Sequence, residues 1–315
     1  MLLRRYIHWR TAIVPLVLGL LAAACGGGGD GAASGPKEGP TVTIGSFNFA
    51  ESQVLAHLYG AALEEQGYSV EVRLNIGARE VVQPAMEGGD LDFVPEYTGN
   101  ALRFQREGEE IELREEQEVY DELQAEYEQD GLVALAFSNA QDVDGLAVTR
   151  ETAEEHGLEK ISDLKDFEGT FKFGAGPECV ERLSCLEGYR QIYGLTEDEF
   201  EFVSLDVAGP ITVEALKSGE VDGANLFTTQ GVVAANGFVM LEDDMQMQLP
   251  QNIVPVTTNE IVDAYGQEFV DFVDSITELF TEEELTALVA RVEVDQEDPE
   301  DVARDWLVDN GFLEE

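Results

Sequence analysis

Basic residues are scarce in this chain: 18 lysines and arginines stand against 65 aspartates and glutamates, a formal net charge of −47 over 315 residues. A surface of that sign repels nucleic acid and anionic lipid headgroups, so no nucleic-acid partner is expected and the folded part should not adhere to a membrane. Histidine is equally sparse. The three present (His8, His57 and His156) do not lie beside the cysteines, which argues against zinc, and no metal or cofactor is expected. No G-x-S-x-G elbow and no Walker A phosphate loop occurs, so the chain lacks both a serine-hydrolase nucleophile and the means to power transport itself. Asp90, Asp92 and Glu96 fall on one face of a strand by period two, but no histidine or fourth ligand accompanies them. An exported enzyme is therefore the weaker reading. Against these shortages, 44% hydrophobic content suffices for packed cores, in one large domain or two ordinary ones.

The first 24 residues read as a targeting segment. Arg4, Arg5 and Arg10 form a basic start, the apolar run at 12–21 is too short to cross a bilayer, and Ala22, Ala23 and Ala24 suit cleavage. Cys25 follows, and after it GGGGDGAASGPKEGP, a stretch with no side chains to pack, which predicts a flexible tether over 25–40. The run LLAAAC resembles a bacterial lipoprotein signal, which implies a lipidated Cys25 as the membrane anchor; an ordinary secretory signal is the alternative. Cys179 and Cys185 then remain. An oxidising compartment favours their bridging, for about 2 kcal/mol from so small a loop.

From Thr41 onward, short β-branched runs alternate with amphipathic stretches, which predicts an α/β architecture. The strand TVTIG leads to a helix from SFNFAESQ, and YSVEVRLN to a helix interrupted at Pro84. A second cycle begins near 140, with FKFGAG as a strand, PECVERLSCLEGYRQIYG as one helix and EFEFVSL as a strand. The two cycles match internally: AMEGGDLDFVPEYTG, from Ala85, aligns without gaps on ALKSGEVDGANLFTT, from Ala215, so that Tyr97 falls on Phe227 and Thr98 on Thr228. The same offset of 130 carries TVTI onto FKFG. Ligands of doubly wound sheets sit outside the carboxyl ends of the strands, so two such lobes facing each other would set Tyr97 and Phe227 across one cleft. Each also suits a core position, and Ser46, Asn48 and Glu51 also suit capping of the first helix. Near the C-terminus, Thr281 with Glu284 and Asp298 with Pro299 mark the starts of two scaffold helices.

Taken together, TIGSFNFAESQVLAHLYGAALEEQGYSVEV, MEGGDLDFVPEYTG, PECVERLSCLEGYRQIYGL, SGEVDGANLFTTQ and VEVDQEDPEDVARDWLVDNG resemble the substrate-binding proteins of osmoprotectant (glycine betaine, carnitine, choline) ABC importers. The resemblance covers nearly all of 41–313. It implies a type II periplasmic-binding-protein fold: two doubly wound α/β lobes joined by a hinge, with 41–140 and 251–315 in lobe I and 141–250 in lobe II. It also implies a small zwitterion or quaternary ammonium as ligand, and a membrane permease with its ATPase as partners. Tyr97 matches a tyrosine of the family's aromatic box, and Phe227 stands where a second tyrosine is usual. Arg182 fits the place of a carboxylate-binding arginine, or pairs on the surface with Glu178 or Glu181. Asn100 stands where threonine is common, and Phe47 where a polar residue is common. Gln141 with Asp142, and Gln251 with Asn252, replace two further box tyrosines. A desolvated cation over a ring gains about 2 kcal/mol, so the two lost rings need a substitute such as Phe47 or Asp142. Gln141, Asp142 and Gln251 offer acceptors that would also suit a primary ammonium, as in an amino acid.

Overall fold

The computed structural model describes residues 35–107 and 109–314; the targeting segment, Cys25 and most of the tether lie outside them. The chain first runs β1 (Val42–Phe47), α1 (Ala50–Glu65), β2 (Val70–Gly77), α2 (Arg79–Glu87), β3 (Phe93–Tyr97), α3 (Thr98–Gln105), α4 (Glu116–Gln129) and β4 (Leu132–Ala134). It then crosses to β5 (Asp144–Val148), α5 (Arg150–His156), β6 (Phe171–Ala175), α6 (Leu186–Gln191), β7 (Phe200–Ser204), α7 (Pro210–Ser218), β8 (Gly223–Phe227), α8 (Gly231–Asn236) and β9 (Val239–Met240). It returns in β10 (Ile253–Thr258) and ends in α9 (Asn259–Tyr265), α10 (Gln267–Thr277), α11 (Glu282–Glu293) and α12 (Pro299–Asp309). Two five-stranded sheets result, ordered β2-β1-β3-β10-β4 and β7-β6-β8-β5-β9. In each, three parallel strands meet one antiparallel strand, β10 or β5, that arrives from the other lobe. The first lobe buries Ile44, Leu55, Tyr59, Phe93 and Phe269, with Leu285, Val302 and Trp306 of the last helices covering the same core. A separate core gathers Phe171, Phe173, Tyr189, Tyr193 and Phe200.

The internal match has a local cause. In both lobes a helix ends at a left-handed glycine, Gly89 (φ 75°) or Gly219 (φ 74°), a conformation that penalises any side chain. The chain then folds back, Asp90 N–H to the Ala85 carbonyl (2.8 Å) and Glu220 N–H to the Ala215 carbonyl (2.9 Å). Asp92 takes the N–H of Thr43 and Asp222 the N–H of Lys172, each at 2.8 Å, so these aspartates pin β3 to β1 and β8 to β6. The helix-to-strand unit keeps the offset of 130, whereas β1 and β6 are displaced by one residue from it.

Two other elements differ from their sequence reading. Helix α2 continues through Pro84, which removes a single N–H late in a nine-residue helix. The segment at 177–191 is two pieces: a short 3-10 turn (Pro177–Glu181) and α6. In one continuous α-helix, residues six apart are about 9 Å apart, beyond the reach of a disulfide. The Cys179–Cys185 bridge holds their Cα atoms at 5.2 Å, so it requires the break.

The two crossings run side by side as the hinge. Ser138 N–H reaches the Ile253 carbonyl (2.8 Å) and Asp142 N–H the Gln251 carbonyl (3.0 Å), with an antiparallel bridge between Gln141 and Asn252. Gly99 packs against this ribbon so closely that a Cβ there would lie 2.5 Å from the Pro250 carbonyl oxygen.

Candidate ligand-binding cleft

Where the strand ends of the two sheets face each other, a cavity of about 60 Å³ remains, lined from both lobes. Four aromatic rings meet at it. Phe47 closes β1, Phe49 stands just before α1, Tyr97 closes β3, and Phe227 closes β8. Phe47 and Phe49 stack at 5.9 Å, Tyr97 lies 5.9 Å from Phe49 and 6.4 Å from Phe47, and Phe49 meets Phe227 across the cleft at 5.0 Å. Phe49 had no place in the sequence reading. Its signal was its spacing in GSFNF: two residues past Phe47, where the strand gives way to the helix, it reaches the same cavity.

Acids gather beside the rings. Asp144 is the antiparallel partner of Phe227 in the sheet, so the two side chains share a face. Its carboxylate accepts from Asn100 Nδ2 (2.7 Å) of the first lobe and from Asn225 Nδ2 (3.0 Å) of the second, and all three residues line the cavity. Asp142 also lines it, accepting from the Thr229 hydroxyl at 2.8 Å. Burial holds its carboxyl well above the ordinary range, with nearby Glu51 adding to the effect. Glu51, on α1, accepts from the Tyr97 hydroxyl at 2.8 Å, and its own burial pushes it up to about 7.

Two arginines mark another wall, and their settings differ. Arg79 is buried and held bidentately by Glu96 at 2.7 Å on both arms, its guanidinium 5.2 Å from the Phe47 ring centre. Arg182 sits on the disulfide loop and reaches across to Glu80 of the first lobe at 3.0 Å, with a quarter of its side chain exposed and about half of its partner's. Breaking a buried pair costs about 3–5 kcal/mol, while a surface pair contributes about 0–1 kcal/mol. Arg182 can therefore exchange its partner for an incoming anion, and Arg79 cannot.

Of the residues singled out in the sequence, Tyr97, Phe227, Arg182, Asn100, Phe47, Asn48 and Asp142 line the cavity, as do Cys179 and Cys185. Three do not. Ser46 is enclosed, donating to the Phe47 carbonyl and accepting from Asn75 N–H, so it shapes the end of β1. Gln141 and Gln251 belong to the hinge: Gln251 N–H donates to Gln141 Oε1, and Asn100 N–H to Gln251 Oε1, each at 3.0 Å. Both amide oxygens are thus occupied by backbone N–H groups, and neither residue lines the cavity. Among the described residues no cluster of His, Cys, Asp and Glu is arranged to hold a metal, and no helix is long and apolar enough to cross a membrane.

Two mixed α/β lobes, joined by a double crossing and meeting at a ring-lined cleft, make the two-lobed fold of the type II periplasmic-binding-protein class. A model of the substrate-binding domain of ABC-type glycine betaine transport systems matches residues 40–309, and the chain belongs to that family. It is 28% identical over 278 residues to the glycine betaine-binding protein YehZ of Escherichia coli, covering 86% of this chain and 91% of the relative. It is 29% identical over 292 residues to a glycine-betaine-binding protein of Pseudomonas aeruginosa, covering 90% and 92%. The crystal structure of a glycine betaine/carnitine/choline ABC transporter protein superposes with a TM-score of 0.68 at 21% identity, over 86% of this chain and 99% of that one.

Proposed function

We propose that the chain is the solute receptor of an ABC importer, capturing a small zwitterion with a quaternary ammonium head, of the glycine betaine type, between its lobes. The observation that carries this reading is the pairing of opposites in one cavity: four rings with Asp144 beside them, and an exchangeable Arg182 on another wall. Ring faces and the Asp144 carboxylate attract a weakly hydrated cation, for about 2 kcal/mol per desolvated ring contact, and Arg182 takes the carboxylate of the solute. Phe47 and Phe49 stand in for the rings that Gln141 and Gln251 do not supply. Lobe I comprises 41–140 and 251–315, and lobe II 141–250. The solute touches both, so its contacts stabilise the shut form, which a membrane permease then recognises while a separate ATPase supplies the energy. The leader and the glycine-rich tether support export and anchoring to the outer face of the cytoplasmic membrane through a lipidated Cys25.

The test is a calorimetric and thermal-shift panel of glycine betaine, choline, carnitine, proline and simple amino acids. Trimethylammonium compounds should bind and raise Tm, those with a carboxylate most strongly. Binding confined to primary-ammonium amino acids would overturn the quaternary-ammonium reading; chemical turnover of any bound compound would overturn the receptor reading.

A further inference from the structure

Beside the hinge, behind the rings, two carboxyls of the first lobe lie against two consecutive residues of the second. Glu51, only 3% exposed, accepts from the Tyr97 hydroxyl on Oε1, while its Oε2 is buried without a hydrogen-bond partner, within reach of the Thr229 hydroxyl. The single proton of that hydroxyl is already donated to Asp142 Oδ1 at 2.8 Å. A proton on Glu51 lets Oε2 donate to Thr229 Oγ1 while that hydroxyl donates to Asp142. Glu293, at the end of α11, repeats the pattern: Oε1 accepts from Gln230 Nε2 at 2.6 Å, and Oε2 is buried with no partner. The interface between them is tight, since a Cβ on Gly231 would lie 2.4 Å from that of Ala290.

We propose that shutting the lobes takes up protons on Glu51 and Glu293, so that the two carboxyls act as an acid-favoured latch on Thr229 and Gln230. The titratable groups facing Glu51 are Tyr97, Asp142 and Glu293, and Glu293 faces Glu51 in turn. None of these brings positive charge. Arg79 is committed to Glu96, and Arg291, on the same helix as Glu293, to Glu297 and Asp305. Burial is the main cause that pushes Glu51 and Glu293 each up to about 7, and Asp142 is displaced in the same direction. Opening readmits water and returns a glutamate towards its ordinary value of about 4.3. Between those values the shut form holds a proton that the open form has lost, so closure gains as pH falls through this window and is least favoured above it. Each group contributes up to about tenfold per pH unit to the closure equilibrium.

The test uses the full chain without solute, at fixed salt, with small-angle scattering from pH 8 to pH 5.5. The radius of gyration should fall with pH. Glu293→Gln should flatten the curve, and Glu51→Gln with Glu293→Gln should leave the protein compact throughout. A parent radius that does not change with pH, or a double variant that follows the parent curve, would overturn the latch. If circular dichroism shows the double variant unfolded, Glu293→Gln alone decides, and a slope equal to the parent's refutes the proposal. With no solute present, the outcome stands apart from the solute panel: either proposal can fail without the other.

Discussion

Phe227 is the ring that the second lobe contributes to the box, and replacing it by leucine separates its two possible roles. Leucine keeps most of the apolar volume of a position that belongs to the cluster of Ala147, Leu226 and Phe238, so the loss of packing is small beside a truncation to alanine, which costs about 3–5 kcal/mol in a core. What leucine lacks is the π face turned to Phe49 and the cavity. For a desolvated quaternary ammonium that face accounts for about 2 kcal/mol, and at about 1.4 kcal/mol per decade the affinity should fall roughly 30-fold. The assay is isothermal titration of Phe227→Leu with glycine betaine, beside a thermal melt of the solute-free protein. Phe227→Tyr, which restores the ring, should bind within a few-fold of the parent. A variant that melts several degrees lower but binds unchanged would show that the ring serves the core, and the account of the cleft would fail with it.

The arginines should part company. Arg182→Gln is expected to weaken carboxylate-bearing solutes while sparing choline and leaving chemical denaturation nearly unchanged, because its pair with Glu80 is half exposed. Arg79→Ala strands Glu96 in the interior and should cost about 3–5 kcal/mol on denaturation. Replacing Cys179 and Cys185 together by serine should remove about 2 kcal/mol and also lower affinity in titration, since the loop it closes carries Arg182; unchanged affinity would place Arg182 outside the site. Gly99→Ala should destabilise the protein measurably in a melt, because its Cβ would press on the Pro250 carbonyl of the hinge.

Much of the fold follows from local grammar. Gly89 and Gly219 end helices in the left-handed region, Asp92 and Asp222 tie the next strand to its neighbour, and the spacing of these residues exposes the duplicated unit before any packing is known. The caps at Thr281 and Asp298 are equally local, each side chain accepting from a backbone N–H within three residues. The failures are instructive for the same reason. A helix through 177–191 is what helical periodicity suggests, but a covalent bond between Cys179 and Cys185 overrides it. Gln141 and Gln251 stand at box positions, but their amide oxygens accept from backbone N–H groups, Gln141 Oε1 from Gln251 on the opposite crossing and Gln251 Oε1 from Asn100.

The sequence alone settles what neighbours along the chain can settle: strand ends at Tyr97 and Phe227, and two cysteines, Cys179 and Cys185, left to pair once Cys25 is set aside. Tertiary structure decides what depends on distance across the cleft. It brings Phe49 against Phe227 from the other lobe, sets Asp144 opposite Phe227, gives Arg79 to Glu96 and leaves Arg182 exchangeable, and encloses Glu51 and Glu293 beside the hinge. The reason is physical: the energies of rings, charges and protons depend on burial and on partners a few ångströms away, and those partners come from segments of the chain that share no local pattern.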